Sequence, residues 1–428
     1  MASVVKRRWT SDIAAGLPRR DRRSCDYEAY APDPLSGRIF RLDGSVAADV
    51  TDAERAIQRL ELEGATLVDT EALARLLLRA EAVASSHIEG LEIGGRRLLR
   101  AEAARDLGVP SEDVTAGEVL GNIEAMGWAV SELAQADVVT ADGILEVHRR
   151  LLRGTRLEAF GGVIRDTQNW IGGSSYNPCS AAFIPPPPEM VRDLLDDLAS
   201  FCNTDELPPV AQAAIAHAQF ETIHPFVDGN GRTGRALIHV IIRRRGSAPR
   251  VLPPVSLVLA TWPRDYINGL TATRYFGDAN SQEAERGVDE WIGTFAAACQ
   301  RAVEDSLEFE GRIARLQAEW REALKPIRRN SAVDLLIGVL PGAPVFTVKG
   351  ASRLVGRSFE RTNEAVARLV EAEVVQPVTV GRRNRAFEAR AIIDAFVDLE
   401  RRLASPSGDT HSSPPTRPVP RTKGDSLL

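Results

Sequence analysis

The run His224-Pro225-Phe226-Val227-Asp228-Gly229-Asn230-Gly231-Arg232-Thr233-Gly234-Arg235 decides how this chain folds and what it can do. It places a base, a metal-binding acid, three glycines and two arginines within one short segment. Gly229, Gly231 and Gly234 also spell G-x-G-x-x-G, the dinucleotide-binding fingerprint. That motif needs a strand before it and an acidic residue roughly 20 positions after it. Here Ala211, Ile215, Ala218 and Thr222 precede it at helical spacing, and the next acid after Arg235 is Asp265. The spacing therefore predicts helix, tight loop, helix.

In that arrangement the glycines let successive backbone N–H groups converge on one anion. The second helix, expected from near Arg232 through Leu237-Ile238-His239-Val240-Ile241-Ile242, adds its N-terminal partial charge. Arg232 and Arg235 share a face of its first turn and can both grip phosphate oxygens. Asp228 stands where a carboxylate could hold Mg²⁺. Pro225 ends the first helix and leaves His224 at the mouth of the loop, where an imidazole can take a hydroxyl proton, worth about 10²–10⁴ in rate. Each residue alone has a plainer reading: D-G-N-G as a turn, the arginines as solvated, His224 as a packed histidine. A zinc site from His217, His224 and Asp228 is a further alternative, though no second ligand pair accompanies it.

The whole segment resembles the signature of the Fic family, H-P-F-x-D-G-N-G-R-x-x-R, whose members mostly transfer AMP from ATP to protein hydroxyls. The resemblance implies a mainly α fold, a Fic helical bundle with a small β-hairpin flap. It implies His224 as the base, Phe226 as a core anchor and Asp228 as the ligand of Mg²⁺. Gly229, Asn230 and Gly231 would form an anion hole, Arg232 and Arg235 would hold the outer phosphates, and Thr233 and Gly234 would complete the ATP site. Upstream, Ser85-Ser86-His87-Ile88-Glu89-Gly90 is similar to the family's inhibitory pattern [S/T]-x-x-x-E-[G/N]. It follows an apolar face of Leu73, Leu76, Leu77, Ala80 and Ala84. By resemblance, Glu89 pairs with Arg235 and blocks productive ATP binding. A 99:1 closed bias needs about 2.7 kcal/mol, within reach of one charge-assisted contact.

Residues 161–184, with Gly/Ser/Asn between two β-like runs and a polyproline end, read as a hairpin resembling the family's flap, which docks the target protein by strand addition. Tyr30-Ala31-Pro32-Asp33-Pro34-Leu35 resembles the start of the family's N-terminal region. The implied organisation is a flexible basic arm over 1–26, an N-terminal region with the inhibitory helix over 27–112 and a catalytic core over 113–305. A linker helix over 306–327, a module over 328–403 and a disordered Ser/Pro/Thr-rich tail over 404–428 complete it.

The 328–403 module orders its elements like an α+β winged helix-turn-helix. Arg361, Asn363, Arg368 and the wing arginines Arg382, Arg383 and Arg385 are candidates for DNA contact within 350–387. Over 331–400 nine acidic residues match nine basic ones, so packing or dimer formation competes with DNA binding. A homodimer is expected by resemblance only.

Of 428 residues 44% are hydrophobic and the net charge is −6, which excludes a global basic field. No apolar run reaches a membrane span. Cys25, Cys179, Cys202 and Cys299 show no paired spacing and read as reduced thiols of a cytoplasmic protein. The expected activity is adenylyl transfer to a Ser, Thr or Tyr hydroxyl. The alternatives are hydrolytic removal of AMP and a DNA-binding regulator that senses nucleotide.

Overall fold

Fifteen helices and five short strands make up the computed structural model, which describes residues 1–11, 21–64, 70–106, 108, 113–380 and 384–403. The tail over 404–428, Arg19, Arg20 and the wing residues Arg382 and Arg383 lie outside the described residues.

The chain opens with β1 (Ser3–Trp9) antiparallel to β2 (Cys25–Ala31). Within the expected flexible arm over 1–26, residues 3–9 and 25–26 are thus strand, and 12–20 lie outside the described residues. Val4, Val5 and Trp9 favour a strand, and the acids around it offset its charge: Lys6 meets Glu28, Arg8 meets Asp26 and Arg7 meets Glu189. Four helices follow: α1 (Gly44–Gly64), α2 (Thr70–Ile88), α3 (Gly95–Asp106) and α4 (Val114–Ser131). Next come α5 (Ala141–Leu152), α6 (Pro188–Phe201), α7 (Pro209–Ile223) and α8 (Asn230–Arg244). Every residue of α7 from Val210 to Ile223 is buried, so it is the central helix. Its alanines let α8 and α6 approach closely. Pro209 opens it without losing a hydrogen bond.

After α9 (Val255–Thr261) and α10 (Pro263–Ala272), α11 runs unbroken for 42 residues, Gln282–Ala323. This one helix runs through the expected boundary between core and linker helix at 305/306. The apolar face of Trp291, Phe295, Ala302, Phe309 and Ile313 continues across it, and Ser306 is fully buried.

Beyond α11 stand α12 (Ala332–Val339), β3 (Val345–Phe346), α13 (Val348–Val355), α14 (Phe359–Glu371), β4 (Gln376–Val380), β5 (Asn384–Glu388) and α15 (Arg390–Leu403). The sheet order is β3-β5-β4. Ser331, Thr347 and Ser358 cap α12, α13 and α14 through side-chain oxygens. This module packs on α2 and α3. Arg79 donates to Gly342 O at 2.7 Å, Arg100 pairs with the buried Glu388 at 2.8 Å, and Leu99 and Ala103 pack with Val345, Ala386 and Ile393.

Candidate active site

The site begins where α7 ends. His224 caps that helix in the left-handed region, φ 48°, its N–H donating to Phe220 O. Side chains with a Cβ seldom hold this conformation, and it costs on the order of 1–3 kcal/mol. The surroundings fix it. Arg165 Nε and Asn169 Nδ2 both donate to His224 O, at 2.9 and 3.2 Å, and Arg165 also donates to Pro186 O.

Asn230 shapes the loop that follows. Its Oδ1 accepts from Phe226 N at 2.8 Å and its Nδ2 donates to Phe226 O at 2.9 Å. Phe226 is buried and stacks on His148, ring centroids 3.7 Å apart. His148 Nδ1 accepts the Gly162 N–H, which leaves Nε2 to donate to Asp228 O at 2.9 Å. This neutral tautomer agrees with burial pushing the His148 pKa down to about 4.

Gly229, with φ 78°, caps α8, so the helix begins at Asn230 rather than near Arg232. Arg232 is buried, with NH2 3.7 Å from Asp228 Oδ2, and its Nε and NH1 make no hydrogen bond. Thr233 Oγ1 is likewise buried without one. Arg235 is only 1% exposed. Its Nε donates to Ser85 Oγ, and NH2 donates to Ser85 O and to Glu89 Oε1, each at 2.7–2.8 Å.

Glu89 follows the last residue of α2 in a tight turn closed by Gly90. Its carboxylate lies on the first turn of α8: a Cβ at Gly231 would stand 1.9 Å from Glu89 Oε1. Burial opposes its charge, but the Arg235 and Arg232 guanidiniums win and hold its pKa below the usual range. Burial likewise works against the Arg235 charge, and Glu89, Tyr266 and Glu221 more than offset it.

The His224 imidazole is pushed down to about 4 by burial and then by the Arg165 charge, so it is neutral at pH 7. Sequence reading missed the groups around it. Glu221, one turn earlier on α7, has a buried carboxyl that burial raises to about 7. Arg274 stacks 3.5 Å over Phe183. The segment from Arg165 to Asn169 stood in the flap reading without a role. The signal available for Glu221 was an acid three residues before His224, one helical turn away. His217 donates to or accepts from Tyr266 OH at 2.7 Å, and no cluster of three metal-ligating side chains exists among the described residues. Asp228, 52% exposed, is the acid that could hold Mg²⁺. One open carboxylate suits a cation carried largely by phosphates and water.

The flap differs from the expected hairpin. Residues 161–184 contain a single bridge, Ile171 to Phe183, because glycines and prolines interrupt the β-like runs. Cys25 and Cys179 form a disulfide, Cα atoms 5.7 Å apart, fastening the flap to β2. This corrects the reading of four reduced thiols; Cys202 and Cys299 remain free and buried. A separation of 154 residues hid the pair from any spacing argument.

In the C-terminal module Arg361 and Asn363 are exposed beside Glu360 and Glu364, while Arg368 donates to Leu324 O. No described helix is long and apolar enough to cross a membrane.

Residues 138–242 match the model of the Fic/DOC family, and residues 47–131 match that of the Fic/DOC family N-terminal region. Protein adenylyltransferase fic-1 of Caenorhabditis elegans is 28% identical over 281 residues, 63% of this chain and 53% of that protein. Protein adenylyltransferase Fic of Drosophila melanogaster is 37% identical over 139 residues, 32% of this chain and 26% of that protein. The chain thus spans about half the length of the first relative and about a quarter of the second. A crystal structure of a Fic family protein from Desulfovibrio desulfuricans G20 is 20% identical with a TM-score of 0.49, covering 82% of this chain and 97% of that one.

Proposed function

The chain carries a Fic/DOC domain preceded by the Fic/DOC N-terminal region, and from that premise we propose that it is a protein adenylyltransferase held in check by Glu89. It moves AMP from ATP to a Ser, Thr or Tyr hydroxyl of another protein. One observation carries the reading: the start of α8 grips an anion. The Glu89 carboxylate lies on Gly231 and Arg235, and beside it Arg232 buries two N–H groups without partners. A buried guanidinium in that state calls for phosphate oxygens.

In this reading His224, neutral at pH 7, takes the proton of the target hydroxyl. The oxygen attacks the α-phosphorus in line, the bond to the bridging oxygen breaks, and pyrophosphate leaves. The backbone of Gly229 to Gly231 receives the charge that develops on the α-phosphate. Arg232 and Arg235, with Thr233 and Gly234 between them, hold the outer phosphates. Asp228 would hold Mg²⁺, which when bound neutralises phosphate charge. With Glu89 and Ser85 on Arg235, its Nε and NH2 donors are all taken and only NH1, which also reaches Tyr266 OH, is left to meet a γ-phosphate.

Hydrolytic removal of AMP is a second reading on the same residues. It is favoured by one observation, that the Glu89 charge bears on His224 and could orient a water beside it. We read the C-terminal module as a winged helix-turn-helix by its order of elements, used for packing on α2 and α3.

The test uses ATP labelled at the α-phosphate with Mg²⁺ and the wild type, Glu89→Gly and His224→Ala chains. Label on protein with Glu89→Gly and not with His224→Ala supports transfer. Label released as AMP from a pre-modified protein, with none transferred, supports the reverse reaction.

A further inference from the structure

Glu221 has no place in the signature of the loop, yet it sits against the two residues on which the proposed chemistry turns. It lies on the last turn of α7, three residues before His224, and its Oε2 is 3.9 Å from His224 Nδ1. Its Oε1 is buried and makes no hydrogen bond, and His224 Nδ1 is in the same condition. The two side chains stand 3.9 Å apart, both out of water, and the Glu221 backbone carbonyl also faces the imidazole. Leaving both unmatched is costly unless a step of the reaction brings them together.

The space for that carboxyl is made by Gly234. A Cβ there would stand 2.8 Å from Glu221 Oε1 and 2.8 Å from Phe220 Cδ1. Gly234 has no positive φ, so what this position supplies is room for Glu221, Phe220 and His217 of α7. The glycine belongs to the first turn of α8, between Arg232 and Arg235, so the carboxyl lies directly behind the phosphate-binding arginines.

We propose that Glu221 is a positioning residue for His224: its carboxylate receives the Nδ1–H of the imidazole and balances the charge the ring gains when Nε2 takes the proton of the attacking hydroxyl. The inference rests on the adenylyl-transfer reading for the identity of that hydroxyl, but the pairing itself does not. The proton passes from hydroxyl oxygen to Nε2, Nδ1 keeps its own proton, and Glu221 stays a carboxylate throughout.

The charges facing the pair explain why it stands apart in the braked state. Glu221 is faced by Arg235 from α8, Glu89 from the end of α2, Arg274 from beyond α10, and His217 and His224 from α7 itself. His224 is faced by Arg165 from the flap, Arg274 and Glu89. Burial first, and then the Glu89 charge, favour the protonated form of Glu221, raising its pKa to about 7. When Glu89 leaves Arg235, one negative charge departs and Glu221 ionises more readily.

The test follows the His224 imidazole by NMR in the full-length Glu89→Gly chain, with and without Glu221→Gln, alongside transfer of α-labelled ATP. Gln is isosteric, and the His148 resonance, remote from the substitution, reports an intact fold. The expected result is a fall of the His224 pKa by about one unit or more, as for loss of an opposite charge at this range. Transfer should fall about tenfold or more in kcat with the KM for ATP unchanged, and Glu221→Asp should recover part of both. An unchanged His224 pKa overturns the inference whatever happens to transfer. If Glu89→Gly itself transfers no label, the adenylyl-transfer reading fails, and the titration still decides whether Glu221 and His224 pair.

Discussion

Glu89 Oε1 accepts from Arg235 NH2 at 2.7 Å, and the same carboxylate rests on Gly231, so one side chain occupies both an arginine and the helix N-terminus that would serve an incoming triphosphate. The contact is held from behind. Ser85 takes two further donors of Arg235, and Glu81 on the same helix accepts from Ser256 N at 2.7 Å and lies 2.8 Å from His239 Nε2. The C-terminal half of α2 is thus held by buried polar groups at Glu81 and Ser85.

From this follows the largest expected effect. Glu89→Gly should raise label transfer up to about a hundredfold, the ratio set by a closed bias of about 2.7 kcal/mol. Adding His224→Ala should abolish it. Equal rates for wild type and Glu89→Gly in a filter-binding assay would remove the brake from the account.

Asn230 offers a second test, because it closes the loop on Phe226 through two buried hydrogen bonds. Asn230→Ala leaves a buried backbone N–H without its partner and should cost about 2–4 kcal/mol. Asn230→Asp keeps the acceptor but brings a carboxylate to the anion hole. Thermal unfolding should therefore penalise Ala, and calorimetric ATP titration of the Glu89→Gly background should penalise Asp more than the melting temperature suggests.

His148 ties pH to stability. Its folded pKa of about 4 lies below the usual value for histidine. The unfolded chain therefore binds more protons between about pH 6.5 and 4, and stability, complete above 6.5, is lost as pH falls through that window. The loss from this residue is on the order of 3 kcal/mol. His148→Phe keeps a ring against Phe226 and should flatten the melting temperature against pH by about one proton. An unaltered slope would mean that His217 and His224 carry the acid sensitivity.

The bridge between Cys25 and Cys179 predicts the thiol count. Alkylation in denaturant without reductant should label Cys202 and Cys299 alone, and all four after reduction. Four labelled thiols before reduction would show that the purified chain lacks the bridge.

Local chemistry made much of this site legible. The order of His224, Asp228, the glycines and the arginines specifies a helix, a loop and a second helix, since glycine conformational freedom, proline termination and apolar periodicity all act over a few residues. Ser85 and Glu89 could be read together because they stand four residues apart where α2 ends. The flap misled because β propensity counts only when a partner strand is in register, and here one bridge forms.

What the sequence by itself determined is the list of groups at the anion site and the helices that carry them. Only tertiary structure decided which distant groups meet there. Ser85 reaches Arg235 across 150 residues, Cys25 reaches Cys179 across 154, and β1 turned from a charged arm into a strand once Glu28, Asp26 and Glu189 stood opposite its basic side chains. Burial, which no spacing reveals, set the rest: it keeps the His224 imidazole neutral at pH 7 and raises the Glu221 carboxyl beside it to about 7.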